Sequence, residues 1–527
     1  MLPKYVLPPR ESGRNINFAT KPKQVEAWIN RLPLANPFET AESLTDYLFA
    51  LNRSDVDFDV RGAIVKRLTP VAQDNVAELY AQYGSAPLPL LPKQQRYADL
   101  ARRLLHELAN SYKSLLLDRL KQRFHLFGGN PVALYLQQIL LTLQSILEIS
   151  FETHDPVPEG VWVEFHQTYY YALRNNLQGV IPEEGAKLVS IGQIYKATLL
   201  LAMADPYRLP QAELPWVKDI IARFTQYATL SLANAAVKSQ SNLFVVEVNT
   251  DKPPMPILRD AQPLHPDRDL LINTTELAKH LARLCVNLEN KEPLDKMGLP
   301  EVALNPAYFT LLQRLKKNWS ASLQRQSQRR KQIGEQDFEV GFGFKAAHQL
   351  LMPADNKSNK DNKGTAPVTV HCKTINNSMG GLALAKSGEA TIQIRVGDIV
   401  VIRQKSAQSC TQSRVDWCVG LVRWFRVPKQ NEVFFGIQLL APHALAVQII
   451  RPDSGRQWPS LLLRPTPNTH EVPMLLTLPG CFAPNMAAEV QTPKGKQLML
   501  IEQRIESTPS IEVFRFKMQP GKTKGNL

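Results

Sequence analysis

Val25, Trp28, Ile29 and Leu32 recur at i, i+3, i+4 and i+7, the apolar stripe of an amphipathic helix. Pro33 and Pro37 end it, and Thr40-Ala41-Glu42 begins another. The pattern predicts a long helix over 94–123, broken by Gly128-Gly129-Asn130-Pro131, then helices over 132–150, 159–177, 187–204 and 213–237. Breaks such as Asp155-Pro156 and Asp205-Pro206 separate them. This is an all-α region of consecutive helical hairpins, without the fixed-period consensus of a repeat protein. Leu243 to Val248 forms a short strand-like run that ends before Pro253-Pro254. Helices resume over about 269–289 and 305–322. Residues 1–20 read as a Pro-rich, flexible leader.

The period then changes to two. Phe338, Val340, Phe342 and Phe344 alternate with Asp337, Glu339, Gly341, Gly343 and Lys345, as in a half-buried strand. A polar stretch over 353–367 has almost no residues able to form a core and reads as a mobile insertion. A second strand, with Val368, Val370 and Cys372 on one face, ends at Asn376-Asn377-Ser378-Met379-Gly380-Gly381. Strand patterns follow at 382–384, 391–394, 399–402, 417–424 and 433–440, close enough to form a small antiparallel barrel. More strands over 446–527 read as a β-rich extension. The fold class is thus multidomain α + β: a helical region over 21–322, a barrel over 323–445 and the extension.

Composition narrows the function. A formal charge of +14 favours anionic partners, but the basic residues are interleaved with acids and form no nucleic-acid tail. Five scattered cysteines without C-x-x-C spacing fit a reduced, cytoplasmic setting. The apolar stretch at 132–151 is interrupted by glutamines and other polar residues, as in a buried helix rather than a membrane span. Neither a Walker A loop, a dinucleotide fingerprint, H-E-x-x-H nor paired histidines appear, so no catalytic residue, metal ligand or cofactor is assigned and a non-enzyme is expected.

One constellation remains. Arg325 and Arg329 form an R-x-x-x-R pair with Arg330 behind them, just before the first barrel strand. Asn376, Ser378 and Gly381 make an N-x-S-x-x-G turn after the second strand, with Gly380 inside it. Together with Gly420, Val422 and Trp424, then Phe435, Gly436 and Ile437, these residues resemble the PilZ family of bacterial cyclic-di-GMP receptors. Asparagine stands where that family more often has aspartate, and 47 positions separate Arg329 from Asn376, more than is usual.

The resemblance implies cyclic-di-GMP as ligand, bound by Arg325, Arg329, Arg330, Asn376, Ser378, Gly380 and Gly381. Guanidinium forks suit phosphates and the guanine O6/N7 edge, and glycines allow the backbone close to a ligand. It also implies a change of domain arrangement on binding, with a protein partner met through the helical region. Two other readings stay open: an interaction scaffold with a degenerate barrel, and a nucleic-acid-binding module whose arginines and aromatics share one barrel face.

Overall fold

In a computed structural model, residues 2–11, 18–121, 131–182, 188–233, 242–257, 264–265, 268–320, 336–352, 367–378, 380–388, 392–405, 417–429, 431–452, 455–464, 473–492 and 495–519 are described. They form two compact units. One comprises Met1–Pro206, Trp216–Leu284 and Leu315–Leu323; the other Tyr207–Pro215, Cys285–Arg314 and Gln324–Leu527. The fold class read from the sequence holds: a helical N-terminal region, then β-barrels. Residues 285–314, expected with the helical region, group with the barrels instead.

The helical unit is built on α1 (Pro22–Ile29), α2 (Pro37–Arg53), α3 (Phe58–Tyr83), α4 (Pro92–Lys121), α5 (Val132–Thr153), α6 (Val161–Arg174), α7 (Ile191–Met203) and α8 (Leu214–Phe224). Among them, α3 has no counterpart in the periodicity reading. The Asn36 side chain caps α2, and Ser190 with Gln193 forms a capping box on α7 (2.9 and 3.2 Å). Helix α5 is buried on nearly every side, its polar residues included, and is packed into the core. It is the one described helix long and apolar enough to cross a membrane, with 67% of its most apolar window buried inside the protein.

Four strands complete this unit, β1 (Thr229–Leu232), β2 (Leu243–Glu247), β3 (Met255–Pro256) and β4 (Asp269–Asn273), in the order β1-β4-β2-β3. Two expected helices are corrected here. The helix over 213–237 stops at Phe224, because 229–232 pairs with β4. The helix over 269–289 begins only at Thr275, as α9 (Thr275–Glu289), because 269–273 is a central strand whose first four residues are buried. A short apolar run such as Leu270-Leu271-Ile272 fits either element by itself, and pairing on both edges selects the strand.

The sheet region also holds α6 in place. Asp251 accepts hydrogen bonds from the Gly160, Trp162 and Val163 N–H groups (2.8, 2.9 and 3.3 Å), supplying the orphan donors of that helix start with a carboxylate. Buried His166 lies between Tyr195 OH (2.8 Å) and the Lys252 carbonyl (2.8 Å). A carbonyl only accepts, so Nε2 carries the proton and Nδ1 accepts from the tyrosine. Burial pushes the His166 pKa down to about 4. The native state therefore binds fewer protons than the unfolded chain between that value and about 6.5. The stability from the neutral ring is complete above about pH 6.5 and is lost as pH falls toward 4, about 3 kcal/mol in all. Denaturant titrations of wild type and His166→Gln across that window are expected to diverge by this slope; parallel curves would refute it.

Residues 2–11, expected to be loose, are tied to the helices. Lys4 N–H donates to Gln167 Oε1 (2.7 Å), Tyr5 OH bonds Thr168 Oγ1 (2.9 Å), Val6 N–H donates to Glu164 (3.3 Å) and Arg10 pairs with Asp118 (2.6 Å).

In the second unit, α10 (Leu294–Met297) and the start of α11 (Pro306–Asn318) accompany two closed six-stranded antiparallel barrels. The first consists of β5 (Asp337–Phe342), β6 (Thr369–Ser378), β7 (Gly381–Ser387), β8 (Ile399–Gln404), β9 (Cys418–Lys429) and β10 (Glu432–Ala441), ordered β10-β7-β6-β5-β8-β9. The second consists of β11 (His443–Ile450), β12 (Gln457–Arg464), β13 (Met474–Thr477), β14 (Met486–Thr492), β15 (Gly495–Ser507) and β16 (Glu512–Met518), ordered β11-β12-β13-β16-β15-β14. If each barrel's strands are counted from its own first, both close in the same circular order, 1-2-3-6-5-4. The C-terminal part is thus a second barrel of the same topology.

Phe344 and Lys345, expected on a strand, begin a helix, α12 (Gly343–Leu350). Gly343 has φ +83, a left-handed turn open to glycine, and there the chain leaves the ladder. Helix α12 then fills the space between the barrels. Ala347 is buried in a cluster with Val401 and Leu421 of the first barrel and Leu461 and Leu476 of the second, with Phe344 and Leu350 against it. Residues 392–395 form no strand despite burying Ile392 and Ile394. The expected insertion lies outside the described residues over 353–366.

Candidate ligand site

Strand β6 begins with regular alternation: His371 exposed, Cys372 buried, Lys373 exposed, Thr374 buried. The rhythm then breaks. Thr374 pairs with Leu384 but Asn376 with Ala383, so Ile375 is an extra residue, a β-bulge. Ile375 is exposed as a result, and Asn376 and Asn377 are half-buried. Bulges re-aim side chains at the rim of a barrel, and this one sits directly before the glycine turn.

The turn itself is tight. Ser378 pairs with Gly381, leaving a two-residue loop, and Leu439 N–H of β10 donates to the Gly380 carbonyl (3.0 Å). A Cβ at Gly381 would lie 2.4 Å from the Ile437 carbonyl oxygen, so the approach of β7 to β10 requires glycine there. Gly380 faces open space and is exposed. Of the predicted site residues, Asn376, Gly380, Gly381 and the backbone of Ser378 therefore share one barrel end.

Arg325, Arg329 and Arg330 lie outside the described residues, between Ser320 and Gln336. The entry to β5 is described. The Gln336 carbonyl accepts hydrogen bonds from both Thr374 N–H and Thr374 Oγ1 (3.0 Å each). Because β5 runs antiparallel to β6, with Asp337 opposite Lys373, the chain enters the barrel at the end where Asn376–Gly381 turns.

Neighbouring groups are largely committed. Arg403 donates to Glu339 (2.6 Å) and lies over Trp417 (4.7 Å). Burial raises the Glu339 pKa, but hydrogen bonds from Thr369 and Arg403 outweigh it and hold the carboxyl below its ordinary value. Burial pushes the Cys372 thiol up to about 12, which leaves it inert as a nucleophile. Trp424 lies across Gly436, where a Cβ would fall 2.0 Å from the indole nitrogen, so this glycine makes room for a packed ring. No group of three His, Cys, Asp or Glu side chains able to hold a metal occurs among the described residues.

Two elements of the site escaped sequence reading: the Thr374–Gln336 clamp and the bulge. Only the break in alternation at Ile375-Asn376 hinted at the latter.

Comparison with known proteins supports the resemblance. Residues 345–445 match the family model for the middle PilZ domain of the cyclic-di-GMP receptor FimW, and residues 23–236 that for its N-terminal domain. The PilZ match starts after the arginines and includes Asn376, Ser378, Gly380 and Gly381. The cyclic-di-GMP receptor FimW of Pseudomonas aeruginosa is 23% identical over 562 residues, spanning 92% of this chain and 86% of that relative.

Proposed function

With the PilZ domain at residues 345–445 as premise, we propose that this chain is a cyclic-di-GMP receptor whose ligand is held at the Asn376–Gly381 end of the first barrel. The observation that carries the reading is the bond from Thr374 to Gln336. It puts the chain that follows the arginines beside the strand that leads into the glycine turn. Five residues lie between Arg330 and Gln336, so six Cα-to-Cα steps make a tether of about 20 Å at full stretch.

In this reading Arg325 and Arg329 supply charged forks to phosphate or guanine, with Arg330 as an auxiliary cation. Asn376 and Ser378 supply short polar groups, and Gly380 and Gly381 allow close backbone approach. The segment 323–331 joins the helical unit to the barrel unit in sequence. Ligand that orders it favours whichever domain arrangement binds better, and the helical unit passes that change to a protein partner.

Calorimetric titration with cyclic-di-GMP tests the reading. Arg325→Ala and Arg329→Ala are each expected to weaken binding at least about tenfold, since a hydrogen bond to a charged group contributes roughly 1.5–3 kcal/mol. No binding by wild type leaves the scaffold reading in its place, and unchanged affinity in the double variant refutes the assignment of the ligand to these arginines.

A further inference from the structure

The helical unit contains a second basic site, remote in sequence from the barrels. A cavity of about 260 Å³ is lined by Leu2, Pro3 and Lys4, by Gln167, Tyr170 and Arg174 of α6, and by Val248, Asn249 and Arg268. Three of these residues are cationic and none is acidic. Lys4, Arg174 and Arg268 are all exposed, and none makes an ion pair among the described residues.

Two carboxylates close in sequence to the lining residues are already engaged. Glu164 binds Lys113 and Val6 N–H, and Asp251 caps α6. The adjoining groove shares Asn249 and Arg268 but includes Glu247 and Asp269, so the excess of positive charge is confined to the smaller cavity. The N-terminal segment closes one wall, held there by the bond from Lys4 N–H to Gln167 Oε1. That bond occupies the carbonyl oxygen of Gln167 and leaves its amide N–H groups to donate. Asn249 adds a second amide.

We infer that this cavity binds a small phosphomonoester. Two guanidinium forks and an ammonium match a dianionic phosphate, and the amides add neutral donors. The volume lies just below the range of drug-sized pockets, which suits a phosphate with a small organic group. An apolar floor from Val248 and Pro3, beside the Tyr170 ring, accommodates that group.

The test is calorimetry on the full chain with glycerol 3-phosphate and 5′-GMP as probes. It is run in an Arg325→Ala/Arg329→Ala background, so that the barrel arginines cannot account for binding. One saturable site is expected, weakened about 30-fold or more by Arg174→Ala/Arg268→Ala. Arg31→Ala/Arg283→Ala, which removes two exposed arginines outside the cavity, is expected to change affinity less than about twofold. The absence of saturable binding for both probes, or equal weakening in the two arginine pairs, overturns the inference. Because the four arginines are exposed, matching thermal midpoints will show that the fold is intact.

Discussion

Lys113→Ala is expected to destabilise the helical unit by about 3–5 kcal/mol, the usual cost of removing one partner from a buried ion pair. The Lys113 side chain has 0% exposure, and its ammonium bonds Glu164 and Asn110 Oδ1 (3.4 Å). Burial lowers the Lys113 pKa even though Glu164 opposes it, so desolvation is the dominant force at this site. Truncating the lysine strands a carboxylate whose remaining neighbour is the Val6 amide at 3.3 Å. Glu164→Ala strands the ammonium and should cost a similar amount. The double replacement Lys113→Met/Glu164→Leu removes both charges and is expected to be close to neutral. Urea unfolding of the three variants checks this. A single-variant loss under about 1 kcal/mol would mean that water reaches the pair.

Gly381→Ala is expected to cost about 3 kcal/mol, the upper end for forcing one extra carbon into a packed site. The added methyl would stand 2.4 Å from the Ile437 carbonyl oxygen, and backbone cannot rotate out of the way as a side chain can. Either β7 or β10 must move, which weakens the pairing of Gly381 with Gln438 and the bond that holds the Gly380 carbonyl. Gly380→Ala, one residue earlier, meets nothing within 4 Å and should stay within about 0.5 kcal/mol of wild type. Differential scanning calorimetry of the pair separates the two roles. If the variants melt together, the constraint on the glycine turn lies elsewhere. In the receptor reading, Gly381→Ala also loosens the ligand end of the barrel, and cyclic-di-GMP affinity should fall with stability.

Local pattern reached far in some regions and failed in others, for identifiable reasons. Helices α4, α5, α6 and α7 were legible because their apolar stripes are long and bounded by Pro, Gly and Asp. The first barrel was legible because closely spaced period-two segments surround recognisable glycine positions. Residues 269–273 misled because their short apolar run, Leu270-Leu271-Ile272, satisfies a helix and a strand equally. At Phe344 the alternation continues in sequence past the point where Gly343 turns the chain into α12, and the packing of two barrels decides that turn. The loose-leader expectation for 2–11 failed because its partners, Thr168, Glu164 and Asp118, lie more than 100 positions away.

By itself, then, the chain's pattern of residues determined an α-helical first half, a β second half and the residue types able to meet a guanine dinucleotide. Those properties follow from side-chain period and donor chemistry, which are local. Tertiary structure alone decided the closure of the strands between His443 and Met518 into a second barrel of identical circular order, the clamp from Thr374 to Gln336 and the pooling of three cations around one small cavity. Each of these depends on groups brought together from distant positions, and their placement is settled by pairing and burial rather than by neighbouring residues.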